Sequence, residues 1–292
     1  MIVITTPTGT IGAAVAQSLL AEPLAQRTPL RLIARDATRL PRTLRDHADV
    51  VTGSHADPAV LDTALDGADA LFVLVPPNFR ALDVTDHYLD FARPIAAAVR
   101  AHGIRRLVAV SSLGRGFAGP AGQLSAAWAM DEVLEASGAA YRSLQPPFFM
   151  ENLLHQLASI RERGSFALPA DLDQAHPVVA TADIARAAAA LLVDATWTGQ
   201  EGVVVREPVD HTPREMAEVM SQVLDRPIAC ERASLEDYRE QFASAGASTA
   251  VADAMVEMAQ AQQAGVYPPV TPGGGTTFAD WCGSVLKPAL AT

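Results

Sequence analysis

The chain has 292 residues, 49% of them hydrophobic and 19% charged, enough for a sizeable core and best read as one domain with a smaller lobe. Its formal net charge of −11 argues against nucleic acid as a partner on electrostatic grounds. No stretch long enough to span a membrane is apolar throughout, the opening MIVITT lacks the basic region of a signal peptide, and Cys230 and Cys282 stand in no metal-ligand spacing, so a cytoplasmic protein with reduced thiols, no membrane contact and no metal is expected.

The first half alternates short β-rich runs with helical patterns. Strands are predicted at 2–5, 30–34, 50–51, 70–75, 106–111 and 141–144. A helix over 11–22 places Ile11, Ala14, Val15, Ser18 and Leu19 on one face. The next, 58–66, has Asp57 as its cap and Pro58 at its first position, and closes before Gly67. Further helices, 84–102 and 124–136, close before Gly103 and Gly138. Runs 70–75 and 107–110 are apolar throughout, as strands covered on both faces must be. The alternation predicts an α/β fold with a doubly wound parallel sheet of the Rossmann kind.

The second half has a different pattern. An alanine-rich helix is expected over 181–193 and a late strand over 202–205. In HTPREMAEVMSQVL, Thr212 caps, Pro213 comes first and Glu215 completes a capping box. Residues 234–265 read as helical and polar, followed by a PPVTPGGG turn and a short helix through Trp281. Residues 1–154 are assigned to the dinucleotide domain and 155–292 mainly to a small C-terminal α/β substrate lobe, with segments near 178–206 packing back on the sheet.

ITTPTGTIGAA, residues 4–14, follows a strand and opens an amphipathic helix, the setting of a pyrophosphate-binding turn. Gly9 and Gly12 hold the last two glycine positions, while the first is Thr6 or Pro7. Thr6, Thr8, Gly9, Thr10, Ile11 and Gly12 are the candidate phosphate cradle; the alternative is a plain strand–helix turn. Arg35, just past the second strand, suits the 2′-phosphate of NADP(H). The adjacent Asp36 could instead bind the ribose of NAD(H), so NADP(H) is favoured without NAD(H) being excluded.

TTPTGTIGAAV, LFVLVPP (71–77), GIRRLVAVSSLG (103–114), SGAAYRSLQPPFFMENLL (137–154) and TADIARAAAALL (181–192) together resemble the NmrA-like family of atypical short-chain dehydrogenases over nearly the whole chain. The resemblance implies NAD(P) lying along Gly9–Gly12, Arg35, Val75, Pro76, Pro77, the strand end at Ser111 and Ser112, and the loop from Pro146 to Phe148 and Phe149. It also implies a substrate cleft between that loop and the lobe. Family members include reductases of quinones, azo dyes and triphenylmethane dyes, polyketide-tailoring enzymes, and redox-sensing regulators. The chain departs from the pattern at Thr6, Pro7 and Gln145, and Ser54 and His55 replace an acidic residue after the third strand.

A Tyr-x-x-x-Lys pair is absent. The residues four beyond Tyr88, Tyr141, Tyr238 and Tyr267 are Ala92, Gln145, Phe242 and Thr271, and Lys287 is the only lysine. The lysine of the isoflavone-type reductases is missing as well, since 124–136 carries none. No Ser-His-Asp order, HExxH or P-loop lysine motif is present either. What remains is hydride delivery by proximity to an acceptor that stabilises its own anion. Phe148 and Phe149 are candidates for an aromatic pocket, or else core packing. Ser112 and Asn152, with Glu151, could orient a small aromatic substrate, although Glu151 and Asn152 suit loop fixing better. His155 and His176 are candidate proton donors that line the cleft, or ordinary structural histidines. The glycine-rich stretch 113–122 is a candidate flap. The rival readings are a non-catalytic NADP(H) sensor acting through a protein partner, a tailoring enzyme of aromatic polyketides, and a bare fold without cofactor.

Overall fold

Strand residues alternate between two cores. The computed structural model describes residues 1–21, 28–269 and 273–291. Its early strands are β1 (Ile2–Thr5), β2 (Leu30–Ala34), β3 (Asp49–Thr52), β4 (Ala70–Val73), β5 (Arg106–Val110) and β6 (Ala140–Gln145). The intervening helices are α1 (Thr10–Ala21), α2 (Arg42–His47), α3 (Pro58–Leu65), α4 (Val84–His102) and α5 (Gln123–Glu135). Ile2, Ile4, Phe72 and Val108 face one core, with α1 beneath them. Val3, Leu71, Val73 and Leu107 face the other, against α3, α4 and α5. Side chains alternate along a strand, so a strand buried on both faces is apolar along its length, as ALFV is throughout and as IVIT is up to Thr5, whose buried hydroxyl is hydrogen-bonded.

After β6 come β7 (Phe148–Phe149), a 3₁₀ turn, α6 (Leu157–Arg163), β8 (Ser165–Leu168), β9 (His176–Val179), α7 (Thr181–Val193) and β10 (Gln200–Val204). β11 (Asp210–His211), α8 (Pro213–Leu224), β12 (Ala229–Arg232), α9 (Leu235–Ser244), α10 (Thr249–Gln263), α11 (Phe278–Trp281) and α12 (Lys287–Ala291) complete the chain. The main sheet runs β10-β6-β5-β4-β1-β2-β3, and every pairing in it is parallel. The order reverses between β1 and β4, which places a topological switch point there. α7 packs on α1 and β10 pairs with β6, so both belong to the sheet layer.

The predicted caps are present. Asp57 accepts from the Ala59 N–H, Gly103 closes α4 with φ of 64°, and Thr212 and Glu215 form the full capping box. Two expectations need correction. The stretch 234–265 is two helices, because Gly246 breaks it with φ of 85° and Ser248 caps a new start. The terminal helix does not end at Trp281, but continues through a π turn, Cys282–Leu286, into α12. Part of the predicted PPVTPGGG turn, 270–272, lies outside the described residues.

The lobe has its own core of Met150, Ile160, Phe166, Met220, Phe278 and Trp281. Two small sheets, β11-β9-β7 and β12-β8, support it. No described helix is long and apolar enough to cross a membrane.

Candidate functional site

The turn after β1 takes its shape from its backbone. Thr6 has φ of 50°, the left-handed conformation for which a glycine is ordinarily used. The position without a glycine therefore keeps glycine geometry, at a cost of about 1–2 kcal/mol. Gly9 N–H then donates to Thr6 O at 3.0 Å, and Ala13 N–H closes the first helical bond on Gly9 O at 2.9 Å. The N–H groups of Thr10, Ile11 and Gly12 precede that bond and have no intrahelical acceptor. Thr8, Gly9 and Thr10 are exposed, so an anion can reach this helix entrance. Gly12 lies under the turn, where a Cβ would stand 2.2 Å from Thr6 O. Thr6→Gly is expected to raise unfolding free energy in urea by about 0.5–1 kcal/mol, because relief of the left-handed strain exceeds the added unfolded-state entropy. A less stable variant would show that Thr6 is not strained.

Beside this turn the ends of β2, β3 and β4 enclose a pocket lined by Thr6, Arg35, Gly53, Ser54, His55 and Phe91, among others. Arg35 is exposed and is the one charged group in the lining among the described residues. Asp36 is engaged elsewhere: its carboxylate accepts from Thr38 N at 2.9 Å and Thr38 Oγ1 at 2.6 Å, which hold its pKa below the usual carboxylate value. Thr5 Oγ1 accepts from Leu74 N at 3.0 Å and ties the exits of β1 and β4 together. Beyond it Val75 is buried, Pro76 half-buried and Pro77 exposed. His87 Nε2 lies 2.9 Å from the Pro76 carbonyl.

His55 is buried, and burial pushes its imidazole down to about 4 from the usual 6.5. Between those values the unfolded chain binds a proton that the native ring refuses. The stability tied to the neutral ring is therefore intact above pH 6.5 and is lost as pH falls toward 4. The loss attributable to His55 is expected to reach about 2 kcal/mol by pH 5. Urea midpoints at pH 7 and pH 5 for wild type and His55→Leu isolate this contribution, and equal pH slopes in the two proteins would refute it.

The β5 exit is fixed from α5. Asp131, fully buried, accepts from Ser111 Oγ at 2.7 Å, Tyr141 Oη at 2.5 Å and Ser143 Oγ at 2.9 Å. Burial raises its pKa, while the three hydrogen bonds act in the opposite direction. One turn earlier, Trp128 Nε1 donates to Ser112 O at 3.1 Å. Ser111 and Ser112 are thus both buried and held, and Ser112 Oγ donates to Leu113 O at 3.3 Å. Leu113 N–H donates to Pro146 O at 3.1 Å, which brings the β5 and β6 exits side by side. Sequence reasoning missed Asp131, although the signal was there: it lies on the stripe of Leu124, Trp128 and Leu134, where an acidic residue is out of place.

Phe148 and Phe149 are neighbours on one strand and so point to opposite faces. Phe149 packs toward the sheet core and Phe148 toward the lobe core. Phe148 pairs with Val178, and His176 pairs with His211 across β9. That register puts Phe148, His176 and His211 on one face of the small sheet. His176 Nε2 is buried without a partner among the described residues, and burial lowers its pKa. Asn152 and His155 are exposed. Glu151 instead turns inward, accepting from Thr181 N at 3.0 Å and Trp281 Nε1 at 3.2 Å. Two further buried carboxylates hold the same C-terminal segment: Asp183 accepts from Thr276 N and Glu207 from Phe278 N, each at 2.7 Å. The glycine-rich stretch is packed at both ends: Leu113 and Ala121 are buried, and a Cβ on Gly122 would stand 1.8 Å from Ala254 O of α10.

A parallel doubly wound sheet, an open helix entrance at its switch point and a pocket edged by one arginine define a dinucleotide-binding α/β protein. Residues 7–195 match the NAD(P)H-binding family model, and the chain belongs to that family. It is 33% identical over 277 residues to a (4-alkanoyl-5-oxo-2,5-dihydrofuran-3-yl)methyl phosphate reductase of Streptomyces griseus, with 93% of this chain and 90% of the relative covered. It is 27% identical over 260 residues to an NAD(P)H azoreductase of Xenophilus azovorans, with 88% and 86% covered. Its fold superposes on the triphenylmethane reductase of Citrobacter sp., solved with NADP(H), with a TM-score of 0.79 at 20% identity, covering 96% of this chain and 97% of that one. The resemblance to the NmrA-like atypical short-chain dehydrogenases is borne out.

Proposed function

We propose that this chain is an NADPH-dependent reductase that delivers hydride directly to a small conjugated, electron-poor acceptor of quinone-like or azo type. The observation that carries the reading is the open turn Thr8–Thr10 beside a pocket whose one described charge is Arg35. A reduced nicotinamide supplies the hydride when bound. The backbone N–H groups of Thr10, Ile11 and Gly12 hold pyrophosphate with the help of the α1 dipole. Arg35 answers the 2′-phosphate, and the engagement of Asp36 by Thr38 keeps its carboxylate occupied beside it. The β4, β5 and β6 exits, at Val75–Pro77, Ser111–Ser112 and Pro146–Phe148, are the residues that would hold the nicotinamide half.

The acceptor class follows from what the chain lacks. Without a Tyr/Lys pair, the chain lacks the tyrosine proton donor that finishes a conventional carbonyl reduction. An acceptor that delocalises the charge it receives removes that need. The names of the two relatives describe such acceptors: an azo group, and a dihydrofuran double bond conjugated to carbonyls. Phe148 would offer the acceptor an aromatic surface, and His176 on the same face is a candidate for returning a proton. Both thiols are free, and burial raises each to about 12, so they are inert and suit a reducing compartment such as the cytoplasm.

NADPH oxidation followed at 340 nm with quinones, azo dyes and unsaturated lactones tests the activity. Tight NADPH binding with no turnover on any of them would replace this reading with a redox sensor. Arg35→Ala is expected to weaken NADPH binding about 10- to 100-fold, the loss of a charge-assisted contact, while NADH binding stays within about twofold. Equal losses for the two cofactors in titration calorimetry would remove Arg35 from the 2′-phosphate site.

A further inference from the structure

The surface just beyond β2 has the opposite sign to the molecule as a whole. The chain carries a net charge of −11, yet residues 35–46 hold four arginines, Arg35, Arg39, Arg42 and Arg45, against two acids, Asp36 and Asp46. All six are exposed. Both acids are engaged within the segment: Asp36 accepts from Thr38, and Asp46 pairs with Arg42 at 3.2 Å. Arg35, Arg39 and Arg45 are in no ion pair among the described residues. Leu40 and Leu44 anchor the segment, buried in the core that also takes Ile11 and Val15 of α1, the helix that the phosphate turn opens. With Leu44 turned inward, Arg42 and Arg45, three residues apart on α2, are neighbours on its exposed side. Arg39 ends the short 3₁₀ turn that follows Asp36, near enough to act on that carboxylate. Of the four arginines Arg35 alone lines the pocket, so the other three stand outside its wall.

We propose that Arg39, Arg42 and Arg45 form a capture surface for the 2′-phosphate end of the dinucleotide, drawing it toward Arg35 and so setting how fast NADPH binds. The assignment rests on the dinucleotide reading above and goes beyond it, from the contacts of the bound cofactor to its arrival. Distance decides which charges count. At 0.1 M salt the Debye length is about 10 Å, so a ligand at the mouth of the pocket feels the arginines of the adjoining turn and helix. The acids spread over the rest of the molecule are largely screened from it. NADH lacks the 2′-phosphate, whose charge approaches that of a dianion, so the surface favours NADPH in rate as well as in affinity. Such steering acts before contact, and so it raises the association rate while leaving dissociation alone.

Stopped-flow mixing of the purified chain with NADPH, followed by the nucleotide's fluorescence, separates the two rates without any acceptor or turnover. In wild type the association rate is expected to fall as salt rises from about 0.1 M to about 1 M, and to fall further for NADPH than for NADH. A chain governed by its net charge of −11 would show the opposite sign, because salt would then screen repulsion. Arg39→Gln combined with Arg45→Gln is expected to slow NADPH association about two- to fivefold at 0.1 M salt, with dissociation within about 1.5-fold of wild type and the difference gone at 1 M. Arg100→Gln combined with Arg232→Gln removes the same charge from the far end of α4 and from β12, and is expected to leave both rates in place. An association rate that rises with salt, equal slowing in the two double variants, no slowing in either, or a change confined to dissociation would overturn the capture surface alone. Binding of neither nucleotide by wild type would overturn it together with the dinucleotide reading.

Discussion

Gly12→Ala is expected to weaken NADPH binding at least 100-fold and to lower unfolding free energy by about 1–3 kcal/mol. The added methyl would meet backbone on three sides: Thr6 O at 2.2 Å, Thr6 C at 2.8 Å and Thr5 O at 3.0 Å. None of these atoms belongs to a side chain that can rotate away. The turn must open, and with it the alignment of the N–H groups that face the phosphates. Gly9→Ala is the informative partner, because its Cβ would make only an ordinary 3.5 Å contact with Thr6 O. That variant is expected to match wild type in urea yet bind NADPH more weakly, since its methyl points toward the space a phosphate needs. Normal NADPH affinity in Gly12→Ala would show that the turn is only a strand–helix connection.

Asp131→Ala is expected to cost about 3–5 kcal/mol of stability, the largest loss for a side chain outside the apolar cores. Removing the carboxylate leaves the hydroxyls of Ser111, Tyr141 and Ser143 buried without their acceptor and opens a cavity beneath the β5 exit. Tyr141→Phe removes one donor and leaves the carboxylate two others, so a loss of about 1 kcal/mol is expected. Because Ser111 and Ser112 are held from Asp131 and Trp128, residual folded Asp131→Ala is also expected to bind NADPH more weakly. Urea denaturation of the pair of variants checks the ranking; an Asp131→Ala protein as stable as Tyr141→Phe would mean the network is dispensable.

The main sheet was legible in the sequence because its central strands β1, β2, β4, β5 and β6 are largely buried on both faces, while the edge strands β3 and β10 are more exposed. The Asp57, Gly103 and Thr212–Glu215 signals act within a few residues, so they survive without knowledge of the fold. The short strands β7, β8, β9 and β12 carried no such signal. Each has only two to four residues and is held by a partner distant in the chain, as β8 is by β12. The same reason hid the C-terminal segment. Its hold on the molecule comes from Glu151, Asp183 and Glu207, carboxylates 71 to 130 residues away from Thr276, Phe278 and Trp281.

The candidate site divides along the same line. Gly9, Gly12 and Arg35 announce themselves by position after a strand, because phosphate recognition uses backbone at a helix entrance and one nearby cation. Thr6 looked like a defect in that pattern; the tertiary structure shows that it adopts the left-handed conformation the position demands. The pair Arg35 and Asp36 left the cofactor open in sequence, and the turn to Thr38 is what engages the acid and leaves the base exposed. Phe148 and Phe149 read alike as letters but face different cores. By itself the sequence determined the parallel α/β fold, the glycine turn between the first strand and helix, and the absence of a Tyr/Lys pair, because each depends on residue type at short spacing. Only the tertiary structure decided that Asp131 anchors Ser111 and that the His55 ring packs against Phe91, because burial and partnership across long loops are properties of the packed chain.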